Sequence, residues 1–208
     1  MRQLPQEGAH TASLLFAVSR LFICLPLEGA GCRWHGKAVT EGVKSRSEGG
    51  KHMSYQDYIE AMELAPRCEY YTTVGGKSQE EISKSEQVLG VKFSKQCREY
   101  YEQYGYLSFF GNEIFGINPY DDSGVLEGNS VAYALNDRKE YGLPAEWIPV
   151  FNFDDGFMAY LDYSSLNDDG EPCVIVAGYN GAEYQVEETI AEDFGEFVLQ
   201  LVKQQLEG

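Results

Sequence analysis

Histidine is missing from the last three quarters of this 208-residue chain, since His10, His35 and His52 are its only three. That excludes a histidine-based nucleophilic site there, and a zinc site would need cysteines and carboxylates alone. Cations are also scarce. Residues 106–208 carry three Lys/Arg against twenty Asp/Glu, a net charge of −17. Such a stretch does not grip phosphates, so nucleic acid is not an expected partner. Long apolar runs are missing too. The longest, 14–27, is broken by Arg20 and Pro26 and falls short of the roughly 20 residues a spanning helix needs, so no membrane association is expected. Cys68, Cys97 and Cys173 are odd in number and form no CxxC pair. Buried free thiols in a reducing cytoplasm are the default.

What is present divides at Met53. All fifteen tyrosines lie from Tyr55 onward. Residues 1–52 carry seven basic and four acidic residues, a net of +3, and residues 53–208 carry nine and twenty-nine, a net of −20. Residues 1–52 are expected to be a non-domain segment without a packed core, and 53–208 a single domain. A signal peptide would use Arg2, the apolar run and Gly29–Ala30–Gly31 before Cys32, but Arg20 interrupts its core. Glu48–Gly49–Gly50–Lys51 can be encoded by a purine-rich, ribosome-binding-like tract. Met53 is therefore expected to be the true start, and a native peptide from residues 1–46 would overturn that expectation.

From Met53 the pattern alternates in kind. SYQDYIEAMEL (54–64) predicts a helix, with Tyr55, Tyr58, Ile59 and Met62 on one face. Residues 68–74 predict a short strand or extended connector. Ser78 and Glu81 form a capping box, and Gly90 supplies the left-handed end of that helix. Ser94 is expected to cap the next helix, which Gly105 closes. Strand segments follow at 106–110 and 114–117 around a Gly111–Asn112 turn. A helix is expected over 130–141, then strands at 147–153, 157–163, 173–179 and 183–186. The apolar run CVIVAGY predicts an inner strand. Thr189 is expected to open a last helix with an apolar stripe from Ile190 to Val202. The class is α+β: N-terminal helices, a largely antiparallel sheet, and a C-terminal packing helix.

Three paired aspartates invite a chemical reading: Asp121–Asp122, Asp154–Asp155 and Asp168–Asp169. They lack the alternating spacing of a calcium loop, and no motif around them marks an acid–base pair. Asp-Gly turn chemistry explains the last two more simply. No catalytic residue, metal site or cofactor is expected. Gly75–Gly76–Lys77–Ser78 ends like a phosphate loop, but Tyr71 stands where its first glycine would be. Exposed on loops, Asp121, Asp122, Asp154, Asp155, Asp168, Asp169 and Glu171 are expected to contact a basic partner.

The order of short motifs resembles the SUKH superfamily of cell-wall-assembly-regulator-like domains. The residues are Glu80–Glu81–Ile82, Glu86, Leu89–Gly90–Val91, Tyr100–Tyr101, Tyr104–Gly105, Gly111 to Ile117, Arg138, Gly142–Leu143–Pro144, Ile148–Pro149–Val150, Asp154–Asp155–Gly156 and Leu161–Asp162. Ala134 stands where the family often has threonine. The resemblance covers 54–206. It implies a cytoplasmic bacterial immunity protein that binds and neutralises a cognate toxin, with no catalytic residues to carry over. A basic, nuclease-type toxin would suit the charge. Acidic surfaces also simply keep proteins in solution, so charge alone does not choose. A regulatory or scaffolding domain that binds a cellular protein is the alternative, and a carboxylate-dependent hydrolase is a third reading. The sequence does not fix the oligomeric state.

Overall fold

The first helix, α1 (Ser54–Leu64), turns Tyr58, Ala61 and Met62 inward, and Ala65 follows in a short 3-10 turn closed by Pro66 and Arg67. Spacings of three and four residues put these side chains on one stripe. The computed structural model describes residues 54–120 and 128–207. The expectations for 1–52, and for Asp121 and Asp122, lie outside the described residues.

After β1 (Thr72–Thr73) comes α2 (Gln79–Leu89). Its capping box is complete: Ser78 Oγ accepts from Glu81 N, Glu81 accepts from Ser78 N, and Gly90 ends the helix at φ 72°. In α3 (Lys95–Gln103), Cys97, Tyr100 and Tyr101 are buried. Ser94 stands at the N-cap, but its side chain makes no capping hydrogen bond. The acceptor comes from a distant residue, described below.

Strands β2 (Leu107–Phe109) and β3 (Asn112–Ile114) pair antiparallel with β1 on the far side of β2. The register Phe109↔Asn112 leaves a two-residue loop, Phe110–Gly111, with φ 48° and 84°. The expected Gly111–Asn112 turn is thus displaced by one residue. A type I′ hairpin turn needs positive φ at both central positions, and here a phenylalanine supplies the first. Beyond β3, a Cβ on Gly116 would sit 2.0 Å from Gly105 O. Only glycine lets the two backbones pass at that point.

Helix α4 (Ser130–Tyr141) begins at Asn129, whose side chain accepts from Val131 N, and ends at Gly142 with φ 72°. A second sheet follows, in the order β4-β5-β6-β7, all antiparallel: β4 (Trp147–Asn152), β5 (Phe157–Leu166), β6 (Pro172–Tyr179) and β7 (Tyr184–Ala191). β6 is an inner strand, as its apolar run predicts. β7 runs on to Ala191, so Thr189 and Ile190 are strand residues. Thr189 pairs with Ile175, and Ala191 with Val174.

The last helix, α5 (Phe194–Glu207), therefore starts later than expected. Asp193 caps it by accepting from Glu196 N at 2.9 Å. Along β5, Ala159 and Leu161 alternate with Met158 and Tyr160, so the two sets leave opposite faces. α5 covers the first set's face, where the rings of Phe197 and Phe151 meet at 5.9 Å. α4 reaches the other face through Asp137, which accepts from the Tyr184 hydroxyl at 2.8 Å.

Candidate functional site

The strand register sorts the expected partner residues. Asp154 and Asp155 lie in the β4–β5 turn, exposed, with Asp154 at φ 63°. Asn152 Oδ1 accepts from Asp154 N at 2.9 Å, and Asp155 Oδ1 accepts from Phe157 N at 3.1 Å. Asp168 and Asp169 are exposed in the β5–β6 turn, where Asn167 Oδ1 accepts from Asp169 N and Glu171 N, each at 3.0 Å. These contacts are turn chemistry. The two turns sit at opposite ends of β5, ten residues long, or roughly 30 Å at about 3.3 Å per residue. They form two separate acidic turns.

Glu171 is not on the surface. It is 2% exposed, and its Oε1 accepts from Gln96 N at 3.1 Å. That amide is in the first turn of α3, so Glu171 caps from a distance the helix that Ser94 leaves uncapped. Gln96 in turn accepts from Gly195 N at 2.6 Å through Oε1, serving the start of α5. Burial pushes the Glu171 carboxyl up from its ordinary range, against the pull of its hydrogen-bond donors. Its role is to tie α3, α5 and the sheet together.

Another buried carboxylate is fully answered. Glu86 is 3% exposed, and its Oε1 accepts from Arg98 at 2.6 Å and Phe93 N at 3.1 Å. Its Oε2 meets Lys92 Nζ at 2.8 Å. Burial works against the charge, but Lys92, the Phe93 amide and Arg98 outweigh it and hold the carboxyl below its usual range.

The end of the sheet at Asp154–Asp155 carries a cleft of about 170 Å³ between α4 and the strands. Its aromatic walls are Tyr141, Tyr160, Tyr179 and Tyr184, and Asp137, Gly156, Met158 and Gly178 complete it. The Tyr141 and Tyr179 rings are 5.2 Å apart, Tyr179 and Tyr184 5.6 Å, and Tyr160 and Tyr184 6.1 Å. Asp137 is 8% exposed and accepts from Tyr184 and, at 2.9 Å, from Asn136. Burial first, then the neighbouring Tyr160 and Asp137, push the Tyr184 hydroxyl well above its ordinary range, so it stays protonated as a donor. Exposed Glu183 precedes Tyr184 and follows the Asn180–Gly181 turn at the same end. In the sequence these tyrosines fall on separate elements. Nothing in it shows that residues on α4, β5, β6 and β7 meet, since only the register does that.

A larger cleft of about 360 Å³ is lined by Lys77, Tyr106, Glu113 and Asn118 among others. Cys97 is wholly buried, and burial pushes its thiol up to about 12, which leaves it inert. Among the described residues, no group of three or more His, Cys, Asp or Glu is placed to hold a metal, and no helix is long and apolar enough to cross a membrane.

A family model described as SUKH_6, SMI1-KNR4 cell-wall, matches residues 79–198. The chain belongs to this SMI1-KNR4 family. The SUKH match takes in Glu86, Gln96, Asp137, Glu171 and the Gly105–Gly116 crossing, while α1 and most of α5 lie outside it. No curated protein matches the chain.

Proposed function

We propose that this SUKH protein is an immunity protein that binds and neutralises a cognate toxin of nuclease type, acting in the cytoplasm without catalysis of its own. The observation that carries this reading is the state of the few cations in the acidic half. Arg138 donates to Leu89 O and Ala145 O, Lys139 pairs with Glu140, and Lys203 pairs with Glu60. All three basic residues of 106–208 are thus engaged, and Asp154, Asp155 and Glu183 are exposed in the turns that adjoin the cleft residues Gly156 and Tyr184 in sequence. A nuclease must present cations to hold phosphate. Carboxylates at the cleft end would steer such a surface in and occupy the place of phosphate. The candidate contacts are Asp154 and Asp155, with Asp168 and Asp169 at the far end as a separate patch.

The test is co-expression with the toxin encoded beside this gene. Survival is expected with the intact protein, and a loss of at least tenfold in protection at low expression with Asp154→Asn/Asp155→Asn. If the chain rescues cells from no neighbouring toxin, the immunity reading fails, and a domain that binds a cellular protein takes its place.

A further inference from the structure

Asp137 is a buried carboxylate without a cation. Among the described residues no lysine or arginine pairs with it, and its two donors are the neutral Tyr184 hydroxyl and Asn136 amide. An ionised carboxylate offers about four acceptor positions, so about two are unused. A buried charge is costly unless paired. The walls around it suit what is missing. Tyr141 is 47% exposed and Tyr179 39%, so both side chains at the mouth remain partly accessible to solvent. Ring faces attract cations, and guanidinium groups stack on them as well.

A cleft of about 170 Å³ is smaller than the roughly 300–1,000 Å³ of sites for drug-sized ligands. Its scale is that of one side chain. A metal ion would find a single carboxylate and no imidazole, and a phosphate-bearing ligand would face Asp154, Asp155 and Glu183.

We propose that the Asp137–tyrosine cleft is a socket for one arginine side chain of the protein partner, with the guanidinium forked onto Asp137 and stacked on the Tyr141 and Tyr179 rings. This rests on reading this end of the sheet as the partner face, and it names the chemistry that face accepts. Tyr184 would set the orientation of the carboxylate, and the acidic rim would guide the cation in.

The probe is Nα-acetyl-argininamide, titrated into the full-length protein while tyrosine ring resonances are followed by NMR. The control is the uncharged isostere Nα-acetyl-citrullinamide. Saturable shifts are expected at Tyr141, Tyr160, Tyr179 and Tyr184, with citrulline at least tenfold weaker. Asp137→Asn should weaken arginine binding at least tenfold, and Asp168→Asn should leave it unchanged. Should Asp137→Asn fold poorly, Tyr179→Ala removes an open rim ring and is expected to weaken binding severalfold. No saturable shift, equal affinity for citrulline, or full affinity in both variants would overturn the socket. A toxin that binds Asp137→Asn as tightly as the unaltered protein would also overturn it, while leaving immunity standing. Conversely, a socket that takes the arginine probe in a protein that rescues no toxin would sink immunity alone.

Discussion

Glu86 and Asp137 are buried almost alike, at 3% and 8% exposed, and they are answered very differently. Glu86 sits where α2 ends and α3 begins, and two cations and a backbone amide close around it. Asp137 sits in the body of α4 and meets only neutral donors, at the back of an open aromatic cleft. A satisfied buried carboxylate is scaffold: it fixes the angle between two helices and has nothing left to offer. A buried carboxylate without its counter-charge, facing a cleft, has capacity to spare. Glu171 lies between the two cases, since it is buried and used as a helix cap, and the cleft does not include it.

The contrast predicts unequal mutational costs. Glu86→Ala strands the Phe93 amide and the partly buried Arg98, and breaking such a pair costs about 3 kcal/mol. Most of Lys92 is already in water and adds little. A urea midpoint shift that corresponds to less than about 1 kcal/mol would place Glu86 with the dispensable surface pairs. Glu171→Gln keeps the shape of the cap but weakens one charge-assisted bond, and it should cost about 1 kcal/mol or less in the same measurement. Asp137→Asn should change stability least, because its present donors are neutral and the Tyr184 hydroxyl can turn to accept from the new amide. A loss as large as that of Glu86→Ala would show that Asp137 too is scaffold.

Acid separates the two buried groups whose carboxyls are displaced. The folded Glu86 carboxyl is held below its unfolded value. Its stabilisation is present above the unfolded value, about 4.3, and is lost as pH falls through the lower folded value. Glu171 has the opposite sign, being raised by burial. Its contribution is full below the unfolded value and is lost as pH rises through the higher folded one. Unfolding midpoints measured between pH 6 and pH 3 should fall less steeply in Glu86→Gln than in the unaltered protein, and more steeply in Glu171→Gln. The reverse order would mean the two roles are exchanged.

Local chemistry made much of the fold legible before any coordinates. Ser78 and Glu81 announced α2, and Gly90 and Gly142 marked helix ends at positive φ. The α4 range agreed with the helix expected over 130–141 before Gly142 and Pro144, and the inner position of β6 followed from its apolar run. Two misreadings share a cause, which is that strand pairing outweighed the local pattern. Ile190 continues the apolar stripe of α5, but β6 takes it into β7. Asn112 suits a turn, yet its pairing with Phe109 moves the turn onto Phe110. The acidic turns were legible as turns, while their separation depends on the length of β5. Glu171 was read as surface because charged residues so seldom go inside, and the helix end that draws it in is 75 residues away. The cleft was the least legible part, because its tyrosines come from four elements that only the fold assembles.

The most direct test of the difference between Glu86 and Asp137 is a urea unfolding midpoint measured with and without Nα-acetyl-argininamide, against the citrulline control, for the unaltered protein and Asp137→Asn. A ligand that binds only the folded state raises stability by RT ln(1 + [L]/Kd). The account predicts an arginine-specific rise in the unaltered protein, which is lost in Asp137→Asn while that variant's own midpoint stays near the original. An equal rise in both proteins, or no rise beyond that given by citrulline, would contradict it.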